Sequence, residues 1–80
     1  MRLDKYLKVS RIIKRRTLAN DACDAGKVSV NGKVAKASVN VVVGDIIEIK
    51  FGASTQKVEV ISLLENVRKE AAADMYKELP

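Results

Sequence analysis

The sequence predicts an α+β domain in which two N-terminal helices pack on a small antiparallel β-sheet, followed by a C-terminal helix. Three observations carry this reading. Apolar residues recur at helical spacing through the first quarter of the chain, the pattern changes to alternation around an Asn31-Gly32 pair, and helical spacing returns after Arg68. Eighty residues suffice for one domain whose core leaves much of the surface uncovered, so a deep cleft between layers is not expected.

Taken in order, Leu3, Tyr6 and Leu7 define one apolar face, with Arg2, Lys5 and Lys8 on the opposite arc at about 100° per residue. That pattern predicts an amphipathic, basic first helix. Ser10 is placed to cap a short turn carrying Arg11, Ile12, Ile13, Lys14 and Arg15, and Thr17 to cap a second helix from Leu18 to Ala25. In that helix Leu18, Ala19, Ala22, Cys23 and Ala25 share one side, and Asn20, Asp21 and Asp24 the other. Gly26 stands where a left-handed C-terminal residue is wanted.

Val28 and Val30, the Asn31-Gly32 pair and Val34 predict a hairpin with a tight two-residue turn. Val39, Val41 and Val43 alternate before Gly44-Asp45. Ile46 to Ile49 reads as a strand, Gly52 as a turn, and Lys57 to Leu63 as a further alternating run. From Arg68 onward Ala72, Met75, Tyr76 and Leu79 fall at i, i+3, i+4 and i+7, which predicts a last helix ending at Pro80. The chain is expected to divide into a domain over residues 1–64 and a helical tail over residues 65–80, with no second domain.

The net charge of +5 is informative because of where it sits. Residues 1–16 hold seven bases against the single acid Asp4, a net +6, while residues 17–80 hold eight bases against nine acids, a net −1. The whole excess lies in the first fifth of the chain as a concentrated field. If a helix begins near Thr17, Arg15 and Arg16 sit at the positive end of its dipole, where a cation is disfavoured by roughly 0.3–1 kcal/mol. On a helical turn, Arg11, Lys14 and Arg15 would repel one another as well. A phosphate bound there would relieve both costs by accepting hydrogen bonds from backbone N–H groups and from forked arginines. The segment therefore points to RNA binding through Arg2, Lys5, Lys8, Arg11, Lys14, Arg15 and Arg16. Only Tyr6 among the aromatics lies near these bases, and it is expected in the core, so recognition by shape and phosphate geometry is the expectation.

Other chemistries find little support. Without histidine there is neither a triad of the usual kind nor an imidazole metal site. Asp21 with Asp24, and Glu70 with Asp74, are spaced for one helix face each and read as solvated surface rather than as acid–base or cation sites. Cys23 is alone, so it forms no intrachain disulfide; it reads as a buried structural thiol in a reducing compartment. Gly44-Asp45 lacks the glycine spacing and lysine of a phosphate loop. No run approaches the roughly 18 apolar residues of a spanning helix, and Arg2 to Arg16 lacks the apolar stretch of a secretion signal, so a cytoplasmic location is expected. Neither a catalytic residue nor a cofactor or metal is expected.

Arg2-Leu3-Asp4-x-x-Leu7, Ser10-Arg11, Thr17-Leu18-Ala19 and Gly26-Lys27-Val28-x-Val30-Asn31-Gly32-Lys33 together resemble the S4 RNA-binding domain. The resemblance covers about residues 1–50, with Ser38 and Gly44-Asp45-x-Ile47 falling where that family places its later strand and turn. It implies the S4-type (αL) RNA-binding fold. Arg2-Leu3-Asp4-Lys5-Tyr6-Leu7-Lys8 and Lys14-x-Arg16-x-Leu18-Ala19 are similar to the stand-alone heat-shock and ribosome-quality-control branch. Lys69 to Tyr76 looks like the C-terminal segment of that branch's Gram-positive members.

The resemblance implies a factor that binds the free large (50S) ribosomal subunit carrying an obstructed peptidyl-tRNA and contacts 23S rRNA and the tRNA. It further implies assistance to a partner, RqcH, in adding a C-terminal alanine tail to the stalled chain. By position Arg2, Lys5, Arg15 and Arg16 match the family's RNA-contacting residues, and Lys8, Arg11 and Lys14 extend them. Off the ribosome a monomer is expected. Two alternatives compete with this reading. One is an RNA-binding fragment or relative of an rRNA- or tRNA-modifying enzyme such as a pseudouridine synthase, for which nothing after Leu64 is long enough to supply an active site. The other is an anionic-membrane binder, for which the apolar face of the first helix is too short and narrow.

Overall fold

The computed structural model describes residues 1–64, 72 and 74–80. Leu3, Tyr6 and Leu7 are fully buried on one side of α1 (Leu3–Val9), and this face sets the packing of the helical layer. Ser10 ends the helix rather than starting a new turn. It is the C-cap, and its hydroxyl donates to the Leu7 carbonyl at 3.3 Å. Arg11 follows in the left-handed region with φ 62°, and residues 12–15 are bends and irregular chain. The expected helical spacing of Arg11, Lys14 and Arg15 is therefore not formed.

The second helix, α2 (Arg16–Asp24), starts two residues before Leu18, and Arg15 rather than Thr17 is its N-cap, without a side-chain capping bond. Ala19 and Cys23 face the core and Ala22 packs partly against it, whereas Leu18 and Ala25 are exposed. Gly26 takes φ 74° just past the C-cap Ala25, and the amides of Gly26 and Lys27 close onto the Cys23 and Ala22 carbonyls.

The Asn31-Gly32 pair forms the turn it predicts. Both residues have positive φ, 51° and 85°, and join β1 (Val28–Val30) to β2 (Lys33–Val34) with Val30 opposite Lys33. Asn31 also fixes the loop before the next strand. Its side chain accepts from the Ile46 amide at 2.9 Å and donates to the Asp45 carboxylate at 3.1 Å. Of the three alternating valines only Val41 is buried; Val39 and Val43 are exposed.

Strands β3 (Ile46–Phe51) and β4 (Ser54–Val60) form the centre of the sheet, with Ile47 opposite Val58. Ile47, Ile49, Val58 and Val60 are fully buried and alternate with polar neighbours such as Glu48 and Lys57, which pair at 4.0 Å. The sheet is antiparallel in the order β2-β1-β3-β4-β5. Its apolar face meets Leu3, Tyr6, Leu7, Ala19 and Cys23 in one core.

The expected C-terminal helix is corrected over its last residues, where Tyr76–Leu79 is strand β5, antiparallel to β4 with Tyr76 opposite Val60. The upstream part of that expectation, residues 68–71 and 73, lies outside the described residues. A helix of so few residues does not sustain itself, whereas the edge of β4 offers a row of unpaired N–H and C=O groups. Met75, buried at 1% exposure, fixes the entry: the Tyr6 hydroxyl donates to its carbonyl at 2.7 Å, and the Ile61 amide donates there at 2.8 Å.

Candidate RNA-binding surface

The surface is organised by Asp4, the one acid of the basic segment, whose side chain is only 3% exposed. Helix α1 turns this residue toward α2. Its Oδ1 accepts from the Lys5 backbone N–H at 2.8 Å, from Arg2 Nε at 3.3 Å and from Arg16 Nη2 at 3.4 Å. Its Oδ2 accepts from Arg2 Nη2 at 3.3 Å and Asn20 Nδ2 at 3.4 Å. Burial pushes the carboxyl up, but the bonds from Arg16, the Lys5 amide and Asn20, with the charge of Arg16, outweigh it and hold the group below its ordinary value.

Arg2 and Arg16, far apart in sequence, are thus held on one carboxylate while each side chain stays 48% exposed. A guanidinium carries five N–H donors and Asp4 engages at most two of them, so donors remain for a phosphate. Arg2 is positioned a second way. The Leu3 and Asp4 amides donate to the Val39 and Ala37 carbonyls at 2.7 and 3.2 Å, and Arg2 itself bridges to Asn40. Helix α2 begins with neither a side-chain cap nor an acid in its first turn, so its dipole adds positive potential beside Arg16.

The other expected residues are distributed around this pair. Lys5 is half-buried on α1 and Lys8 is exposed one turn further on. Arg11, Lys14 and Arg15 are exposed along the connection between the helices. An arginine in the left-handed conformation of Arg11 costs roughly 1–2 kcal/mol relative to ordinary backbone. The structure ties together Arg2 and Arg16 directly; Lys8, Arg11, Lys14 and Arg15 form an exposed cationic run from the end of α1 to the start of α2.

Three residues that the sequence reading left out belong to the surface. Asp4 holds the arginines, Asn20 donates to Asp4, and Lys36 lines an open groove of about 640 Å³ together with Arg2, Asn20 and Ser38. Asp4 could have been found as the lone acid in a basic segment. Lys36 carried no comparable mark, because only the tertiary docking of residues 37–39 onto α1 brings it near Arg2.

Cys23 is 4% exposed, and burial, then the charges of Asp4 and Asp24, push its thiol up to about 11, so it is an inert core thiol. Asp21 and Asp24 are exposed on α2, and among the described residues no three metal-ligating side chains cluster. Glu70 lies outside the described residues. No helix among them is long and apolar enough to cross a membrane.

The S4 domain family matches residues 1–47. The chain is 53% identical over 77 residues to the RQC P-site tRNA stabilizing factor of Halalkalibacterium halodurans, covering 96% of this chain and 88% of that protein. It is 53% identical over 76 residues to the protein of the same name from Bacillus subtilis, covering 95% and 88%. The trimeric structure of Vibrio cholerae heat shock protein 15 superposes with a TM-score of 0.91 at 32% identity, over 99% of this chain and 81% of that one. The fold and the identity over nearly its full length agree: the chain belongs to the S4 domain proteins and, among them, to the family of RQC P-site tRNA stabilizing factors.

Proposed function

We propose that this chain is a non-enzymatic RNA-binding factor of ribosome-associated quality control. It binds the free 50S subunit carrying an obstructed peptidyl-tRNA, contacts 23S rRNA and the P-site tRNA, and assists RqcH in C-terminal alanine tailing of the stalled chain. It acts in the cytoplasm on the ribosome and is a monomer away from it. The observation that carries this reading is the Arg2–Asp4–Arg16 cluster, which presents two oriented, half-exposed guanidiniums beside an uncapped helix start. Such a pair fits the phosphates of a folded RNA better than a diffuse basic face does. Lys5, Lys8, Arg11, Lys14 and Arg15 extend the contact. The names of the relatives, which specify P-site tRNA, point the same way.

Co-sedimentation with purified 50S subunits bearing peptidyl-tRNA tests it. Arg2→Ala and Arg16→Ala should each bind at least fivefold more weakly than the parent, a loss of about 1 kcal/mol or more. Binding by both variants equal to the parent, with thermal melts showing intact folding, removes the basis for the assignment.

A further inference from the structure

A second groove lies on the far side of α2 from Asp4, between that helix and the β3–β4 turn. It is open, about 610 Å³, and mainly apolar, with Leu18 and Ala22 on one wall and Phe51 on the other. That volume falls in the range of small-molecule pockets, roughly 300–1,000 Å³. Of the three aromatic residues Tyr6 is buried and Tyr76 is half-buried, whereas Phe51 is 45% exposed; Leu18 across from it is 50% exposed. These are large apolar surfaces left uncovered at one groove, whereas Ile13 and Ile49, which line the same groove, are buried.

Charge decides what fits. Lys27 and Lys50 line the groove and are exposed, and their backbones are joined by the Lys50 N–H to Lys27 carbonyl bond at 2.9 Å. At the other end Leu18 and Ala22 stand one turn apart on α2. Asp21 is the one acid among its lining residues. Two cations beside a slot with an aromatic wall suit a polyanion that carries flat apolar faces. We infer that the groove receives an unpaired nucleobase of the bound RNA, stacked on Phe51 against Leu18, with the adjoining phosphates held by Lys27 and Lys50.

The inference rests on the RNA-binding reading and adds a base-contacting site beyond the basic segment; Lys50 and Phe51 lie outside the matched stretch 1–47, Leu18 and Lys27 within it. The chain has no tryptophan, so Phe51→Trp places a single reporter in the groove. Titration of that variant with octaadenylate should quench its emission saturably. Phe51→Leu keeps apolar bulk without a stacking face and should weaken octaadenylate binding by about tenfold, while leaving duplex RNA binding unchanged. Lys50→Ala, on an exposed side chain, should weaken octaadenylate binding by a smaller factor and guards against misfolding of the Phe51 variants.

Unchanged tryptophan emission at an oligonucleotide concentration that shifts the amide resonances of residues 2–16 overturns the inference and leaves the RNA-binding reading standing. Retained octaadenylate binding by Phe51→Leu with loss of RqcH-dependent alanine tailing also overturns it, and makes the groove a protein-docking site. If the parent chain binds neither octaadenylate nor 50S subunits, both readings fall.

Discussion

At Asp4 a single carboxylate converts two mobile cations into a fixed pair, and its pKa records the arrangement. Because the folded value lies below the unfolded one, ionised Asp4 favours the folded chain above about pH 4, and that contribution drains away as the pH falls through the folded value. With both arginines half-exposed, the carboxylate's bonds are worth about 1–2 kcal/mol in total. Asp4→Asn should lower the thermal midpoint at neutral pH and flatten its decline below pH 4. The same variant raises the net charge by one, so a purely diffuse attraction calls for tighter RNA binding. Positioning by Asp4 calls for binding at least threefold weaker, and a filter-binding measurement on 50S subunits separates the two. The seven cations were legible in the sequence because charge segregation needs no structure. The role of Asp4 was not, since its partners Arg16 and Asn20 reach it only across the packed helices.

At the scale of elements, patterns with a local cause were read correctly and those settled by distant partners were not. Asn31-Gly32 turns because its backbone conformation is intrinsic to those residues, and β3 and β4 alternate because one face is buried. Leu18 matched the apolar side of α2 by type, but the helix starts earlier and packs through Ala19 and Cys23, which leaves Leu18 at the rim of a groove. Residues 76–79 satisfy a helical repeat locally, yet the vacant edge of β4 and the anchor at Met75 select a strand. Tyr6→Phe tests that anchor. The Met75 carbonyl keeps the Ile61 and Ser62 amides as donors, so the loss is one hydrogen bond, about 1 kcal/mol. A thermal melt should show the midpoint falling by roughly 4–8 °C, with RNA binding by the folded protein unchanged.

The whole molecule measures 29 × 27 × 22 Å, wider than the screening length of about 8 Å at physiological salt. Charges on opposite faces are therefore screened from one another, whereas Asp21 and Asp24, which line the same grooves as Arg16 and Arg2, temper the field there. Neutralising about four to six phosphates predicts a log–log salt slope of roughly −3 to −5 for 50S binding, with Arg2→Ala reducing its magnitude by about 0.9. A slope near zero in a salt titration would argue for recognition through protein alone. The bond from Tyr6 to Met75 also bears on the order in which the chain folds. It joins residues 69 apart, so this contact forms by closing a long stretch of chain, whereas the helices and the Asn31-Gly32 hairpin need only near neighbours.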